Sequence, residues 1–320
     1  MTGLEILLSP VVLFFVLGAL AAFAKSDLAI PESIAKGMSL YLMAAIGLKG
    51  GAQVAATGFS PAMWSAVAAG VLLSLLLPAP AYFVLRRLGR LDQLNAAAVA
   101  AHYGSVSVVT FAAGSEVLKG DGLVPAGYMV AVLALMETPA IVAGLLLARG
   151  TGGSSLPGGR GILHEALLNG SVVLMVGAFA IGLIAGKDGL APIAPVFEVA
   201  FLGVLCFFLL DMGLIAARRL LGAQSLTIRL ACLAIAMPLC NGTVGVSLGY
   251  LAGLDAGSAA ALGILAGSAS YIAVPAAMRL ALPQADPGIS LGMSLAVTFP
   301  FNITLGIPFY SFLATRMIAA

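Results

Sequence analysis

Charge is what this 320-residue sequence has least of: 15 Lys and Arg and 13 Asp and Glu make up only 9% of it. A soluble domain carries about 25%, so an ordinary water-soluble globular fold is excluded. The net charge of +2 selects no class of partner. Cysteine is also scarce. Cys206, Cys232 and Cys240 lie in apolar stretches without CxxC or Cys/His metal spacing, which reads as small buried hydrophobes and gives no disulfide framework. No apolar stretch alternates with period two, which excludes a β-barrel. There is no GxxxxGK[ST] phosphate loop, no HExxH and no soluble region large enough for a nucleotide domain. These absences argue against an enzyme or a primary pump and leave an ion gradient as the energy source for any transport. The N-terminus has Glu5 where a cleaved signal peptide needs Lys or Arg, so its apolar run is expected to remain as a first span.

What is present is apolar sequence, 61% of the chain, in blocks of the length that a bilayer of about 30 Å demands. Ten spans are predicted, at 5–24, 32–48, 61–86, 92–117, 122–149, 162–186, 194–217, 226–252, 255–282 and 286–316. The Gly-, Ser- and Pro-rich segment 150–161 divides the chain nearly in half and reads as a linker. The halves correspond at offsets of 160 to 166: Glu32 with Glu198, Gly37 with Gly203, Gly47-Leu48 with Gly213-Leu214, Pro78 with Pro238, Asp92 with Asp255 and Pro139 with Pro300. The best match sets Gly104-Ser105-x-Ser107 over Gly267-Ser268-x-Ser270. An odd number of spans per repeat forces the second copy to enter from the opposite side. The expected fold is therefore an all-α membrane protein of ten transmembrane helices in two inverted five-helix repeats, residues 1–149 and 162–320. Lys and Arg follow odd-numbered spans 11 to 4, with Lys36 within a span. The positive-inside rule then puts the linker in the cytoplasm and both termini outside.

Helices four and nine are expected to break where GSVS and GSAS interrupt them, because glycine weakens a helix and serine offers its hydroxyl to the backbone. Two breaks from inverted repeats would face each other with positive helix ends, which suits a small anion. Gly104, Ser105, Ser107, Gly267, Ser268 and Ser270 are the candidate substrate residues, against the plainer reading that Gly and Ser let helices pack closely. Freed carbonyls, with the hydroxyls of Ser107, Thr110, Ser268 and Ser270, suit a hard cation such as Na⁺. Glu137, in METP of span five, is read as an ion or proton ligand because an unused intramembrane carboxyl is costly. Asp211 is read as half of an interfacial ion pair with Arg218 or Arg219. Asn302 and Thr298 flank Pro300 as cation ligands or inter-helix hydrogen-bonding groups, and the candidate sodium set is Thr110, Glu137, Tyr271 and Asn302. His102 is expected to be neutral and hydrogen-bonded. Tyr103 precedes the first GSVS. Asn241 marks either a gate or simple packing.

The stretches IPESIAKGMSLYLMAAIGLKGGAQVA (30–55), HYGSVSVVTF (102–111), METPAIVAG (136–144) and GSASYIAVPAAMRLALPQADPGISLGMSLAVTFPFNITLGIPFY (267–310) resemble the sodium-dependent bicarbonate transporter family known from cyanobacteria. The resemblance implies a five-plus-five inverted repeat, a core domain moving like an elevator against a gate domain, a homotrimer in the inner membrane, and Na⁺-coupled uptake of HCO₃⁻. It places substrate between the broken spans, on the six Gly and Ser residues named above, and matches Glu137 to the family's acidic residue of span five. The chain departs from the family in having Tyr271 where an Asp follows the serines of span nine. Its central loop is also shorter, which argues against a PII-like regulatory partner. The alternatives left open are an organic-anion carrier, a sodium/proton exchanger using Glu137 or Asp211, and a membrane-embedded sensor or scaffold.

Overall fold

The computed structural model describes residues 8–149, 170–222 and 226–318, so the linker 150–161 and the first residues of the sixth predicted span lie outside the described residues. The described residues are helical, with no strand among them. In chain order the helices are α1 (Pro10–Phe23), α2 (Glu32–Thr57), α3 (Pro61–Arg87), α4 (Gln93–Gly104), α5 (Val108–Gly120), α6 (Met129–Glu137) and α7 (Pro139–Arg149). They continue as α8 (Gly170–Leu190), α9 (Pro195–Gly222), α10 (Ile228–Leu251), α11 (Ala256–Ala266), α12 (Ala273–Ala281) and α13 (Pro287–Ile318). Seven stretches among the described residues are long and apolar enough to cross a membrane: α3, α4 with α5, α6 with α7, α8, α9, α10 and α13. α1 and α11 are apolar but shorter. α2 has 26 residues but also carries Glu32, Lys36 and Lys49, and it is not among the seven.

Local chemistry explains where these helices begin. Ser60 accepts a hydrogen bond from the Met63 amide with Pro61 at the first helical position, and Thr227 caps α10 in the same manner. Asp92 caps α4 and Asp255 caps α11. Each such cap contributes about 1 kcal/mol. Two boundaries depart most from the sequence expectation. α2 runs to Thr57 instead of ending near 48, so Lys49 is inside the helix, half-buried, with its Nζ 4.2 Å from the centre of the Phe201 ring. Lys36 and Lys49 thus leave opposite sides of the charge count, and the asymmetry keeps its sign. The fifth span starts at Met129 instead of 122, because Pro125 and Gly127 hold the preceding segment out of helix. The Ala126 amide bonds the Ser258 hydroxyl at 3.1 Å instead of a helical carbonyl.

α1 packs along α9 and α2 along α8. These pairs approach until backbone touches backbone. A Cβ on Gly18 would lie 2.0 Å from the Leu210 carbonyl oxygen, and one on Gly213 would lie 2.1 Å from that of Phe15. In the other pair, Gly51 would meet Phe179 O at 2.0 Å and Gly182 would meet Leu48 O at 2.2 Å. Small residues serve this purpose in lipid, where burial supplies no hydrophobic drive between helices and van der Waals contact must hold them. The broken helices fill the centre: α4 packs on α3, α7 and α12, and α11 packs on α10, α13 and α5.

The bend between α6 and α7 at Pro139 is bridged from α3. The Ser74 hydroxyl donates to the Met136 carbonyl at 2.6 Å and accepts from the Ala140 amide at 3.1 Å, serving backbone groups at the bend. Ser74→Ala is expected to cost about 1–3 kcal/mol, read as a lower melting temperature in detergent micelles. Unchanged melting would mean that the bridge does not hold the bend.

The cysteine expectation holds only for Cys206, which is buried; Cys232 and Cys240 are exposed on the surface of the chain. Apolarity in a membrane sequence does not separate positions facing protein from positions facing lipid, since both favour the same residues.

Candidate substrate and ion site

Both predicted breaks are present. α4 ends at Gly104 and α5 starts at Val108, while α11 ends at Ala266 and α12 starts at Ala273. The two glycines at the breaks are required by close approach. A Cβ on Gly104 would meet Pro78 Cγ at 2.3 Å, and one on Gly267 would meet the Tyr310 hydroxyl at 2.5 Å and Pro238 O at 3.0 Å. The breaks cross and hold each other. The Ser107 amide donates to the Ser268 hydroxyl at 2.9 Å, and the Ser270 amide donates to the His102 carbonyl at 2.9 Å. Ser268 in turn donates to the Leu265 carbonyl at 2.8 Å, within its own break.

A small cavity of about 10 Å³, room for one water-sized body, opens at this crossing. It is lined by Ser107, Val106 and Val108 from the first break, Ser270, Tyr271 and Ile272 from the second, Glu137 from α6 and Met43 from α2. Val108 and Ile272 stand at the starts of α5 and α12, so both second-half helices begin at the cavity, where free amides and the positive dipole end favour negative charge. The Ser107 oxygen already accepts from the Thr110 amide at 3.2 Å and the Thr110 hydroxyl at 2.9 Å, which leaves its O–H as the group it can offer. Glu137 is 3% exposed and its Oε2 has no hydrogen-bond partner. The Tyr271 hydroxyl lies beside Ser107 and also has none. Among the described residues no three His, Cys, Asp or Glu side chains cluster. The donor set is therefore hydroxyls, carbonyls and one carboxylate, the hard oxygen ligands of an alkali cation.

Ser107, Ser270, Glu137 and Tyr271 are thus brought together. Ser105 is adjacent, donating to the Glu137 carbonyl at 3.2 Å, and Thr110 reaches the cavity through Ser107. Gly104, Gly267 and Ser268 shape and brace the crossing. Asn302 stands off the cavity. Its amide donates to the Gly267 carbonyl at 2.8 Å, and Tyr310, which donates to Pro238 O at 2.8 Å, leans on its Oδ1 at 3.3 Å. Thr298 donates to the Ala234 carbonyl and accepts from Tyr103, both at 2.6 Å. Asn241 reaches the Tyr103 carbonyl at 3.4 Å. Asp211 forms no ion pair with Arg218 or Arg219 among the described residues. It is buried with Oδ2 unpartnered, while Arg218 donates to the Leu28 carbonyl at 2.8 Å. Seven residues of helix separate Asp211 from Arg218 by about 10 Å, too far for a close pair once Arg218 is engaged elsewhere. Met43 and Tyr310 were not anticipated. Met43 carries no polar signal, and only the position of Tyr310 inside a span could have drawn attention to it.

No curated protein matches this sequence. The family model for the Na⁺-dependent bicarbonate transporter superfamily matches residues 10–315, nearly the whole chain. That match, with its helical stretches long and apolar enough to cross a membrane several times, makes the chain a multi-pass membrane protein and a member of the Na⁺-dependent bicarbonate transporter superfamily.

Proposed function

We propose that the chain is a sodium-coupled bicarbonate symporter whose anion and sodium meet at the crossing of the broken helices. The observation that carries this reading is the set of unsatisfied groups there: Glu137 Oε2 and the Tyr271 hydroxyl without partners, and the free Ser107 O–H, between two helix starts. Sodium is the co-substrate, taken by Glu137 with the Tyr271 and Thr110 hydroxyl oxygens, while the Ser107 O–H is left for the anion. The anion is held by the amides that start α5 and α12, with Ser105, Ser107, Ser268 and Ser270 around them.

Two inverted five-span repeats, residues 1–149 and 162–320, are the scaffold we assign to it. Several features support the pairing. Asp92 and Asp255 cap matching helices, and two residues before each the backbone is left-handed, at Arg90 (φ 56°) and Gly253 (φ 73°). Exchanging the halves turns the α1–α9 pair into the α8–α2 pair and the α5–α11 contact into the α12–α4 contact. α1, α2, α8 and α9 pack chiefly on one another and form the gate, touching the site through Met43. The remaining helices are the core that moves past it as an elevator. Charge placement sets the linker in the cytoplasm and both termini outside, and family membership supports a homotrimer in the inner membrane. The short linker gives a PII-like regulator little to grip.

Uptake of labelled bicarbonate into proteoliposomes, with and without an inward Na⁺ gradient, tests the reading. Sodium-driven accumulation is expected. Its absence would sink symport, and a sodium-dependent pH change without bicarbonate would indicate exchange instead. Ser107→Ala and Ser270→Ala are each expected to abolish uptake in folded protein, with Ser107→Ala also losing a helix cap of about 1 kcal/mol. Wild-type uptake by both variants would place the site elsewhere.

A further inference from the structure

The cavity at the crossing of the broken helices is smaller than the anion assigned to it. Its volume of about 10 Å³ admits one water-sized body. A sodium ion stripped of its water fits that space, whereas bicarbonate, a carbon with its oxygens around it, does not. Some lining residue has to give way before an anion sits between the helix starts, and the residues differ in how far they can.

Most of the wall is fixed. The Ser107 and Ser270 amides donate across the crossing, to the Ser268 hydroxyl and the His102 carbonyl, both at 2.9 Å. The Tyr271 ring stands edge-on to Phe299 with centroids 5.3 Å apart. Val106 and Val108 are buried and branched at Cβ, which leaves them stiff at χ1. Ile272 is branched too and already exposed, and Glu137 is committed to sodium in the function proposed above. Met43 is the one lining residue from α2, and it is 2% exposed. Its helix has no room to retreat toward α8, since a Cβ on Gly47 would lie 2.8 Å from the Met175 carbonyl oxygen and one on Gly51 would lie 2.0 Å from that of Phe179. The Met43 side chain, unbranched and with three rotatable bonds, is therefore the part of the wall that can move.

We propose that Met43 sets the largest anion the site accepts: its side chain swings aside for a planar monoanion the size of bicarbonate and blocks longer carboxylates. This rests on the function proposed above for where the anion sits. Acetate, propionate and butyrate share one charged head group and lengthen by a methylene each, so they probe length at constant charge.

The test measures how each of the three inhibits sodium-driven uptake of labelled bicarbonate into proteoliposomes, in the parent and in Met43→Ala, Met43→Val and Met43→Leu. Melting temperature in detergent, with sodium and each carboxylate, is measured in parallel. In the parent, acetate is expected to inhibit and the longer two are not. In Met43→Ala, propionate should inhibit at a concentration at least about tenfold lower than in the parent, the discrimination that one methylene carries in a close-fitting pocket. Met43→Val truncates less, so it should shift the order in the same direction even where Met43→Ala does not accumulate. Met43→Leu conserves volume and should keep the parent's order. An unchanged order in the Ala and Val variants, or the same change in Met43→Leu as in Met43→Ala, overturns the proposal. A Met43 that only fills the core would lower uptake in the variants and leave the order alone. Bicarbonate uptake with an unchanged order removes only the role of Met43. Failure of the parent to take up bicarbonate, with propionate stabilising Met43→Ala and not the parent, removes symport and keeps Met43 as the size limit.

Discussion

Glu137→Gln is expected to cut sodium-dependent uptake about 100-fold, the loss of roughly 3 kcal/mol of charged ligation, while the protein stays folded. The exchange preserves side-chain volume and removes a carboxylate that is 3% exposed and has an unpartnered oxygen. A buried charge with no compensating partner costs stability. Melting temperature without sodium should therefore stay the same or rise, and the stabilisation by sodium expected of the parent from preferential binding to the folded state should vanish. Sodium-dependent uptake and melting measured side by side decide the matter. Normal sodium dependence of uptake in the variant would remove Glu137 from the ion site.

Gly51→Ala is expected to destabilise the protein by about 1–3 kcal/mol, because its new methyl would lie 2.0 Å from the Phe179 carbonyl oxygen and 2.7 Å from the Leu183 nitrogen. The obstacles are backbone atoms of α8, which cannot rotate away, so the helices must separate along their whole contact. Gly51→Leu, with a longer side chain at the same point, should prevent accumulation of folded protein. Gly37→Ala in the same helix is the control. Nothing lies within 4 Å of its added Cβ, and replacing an exposed helical glycine should gain about 0.5–1 kcal/mol. Detergent melting curves of the three variants test this, and equal stability of Gly37→Ala and Gly51→Ala would refute a backbone-contact role for Gly51.

Much of the helical layout was legible because the bilayer imposes it. Charge scarcity, long apolar blocks and interrupting Gly-Ser runs are local properties, and the breaks at 105–107 and 267–272 fall where glycine and serine weaken the helix. The errors came from context. α2 continues past Lys49 because the ammonium group settles over Phe201, a residue remote in sequence. Asp211 sits near Arg218 in sequence, but helix rise and the Leu28 carbonyl keep them apart. Exposure of Cys232 and Cys240 was hidden because lipid and protein interior accept the same side chains.

The site divides along the same line. Composition and the paired GSxS runs by themselves determined a membrane-embedded helical chain with two interruptions and a short set of polar candidates, since an unused polar group in an apolar medium is costly wherever the chain places it. Only the tertiary structure decided which candidates meet. It gathered Ser107, Ser270, Glu137 and Tyr271 at one cavity and turned Ser268 and Asn302 to bracing the backbone. Those outcomes depend on which helix faces cross and at what depth, and crossing is a property of packed pairs that no single stretch of sequence carries.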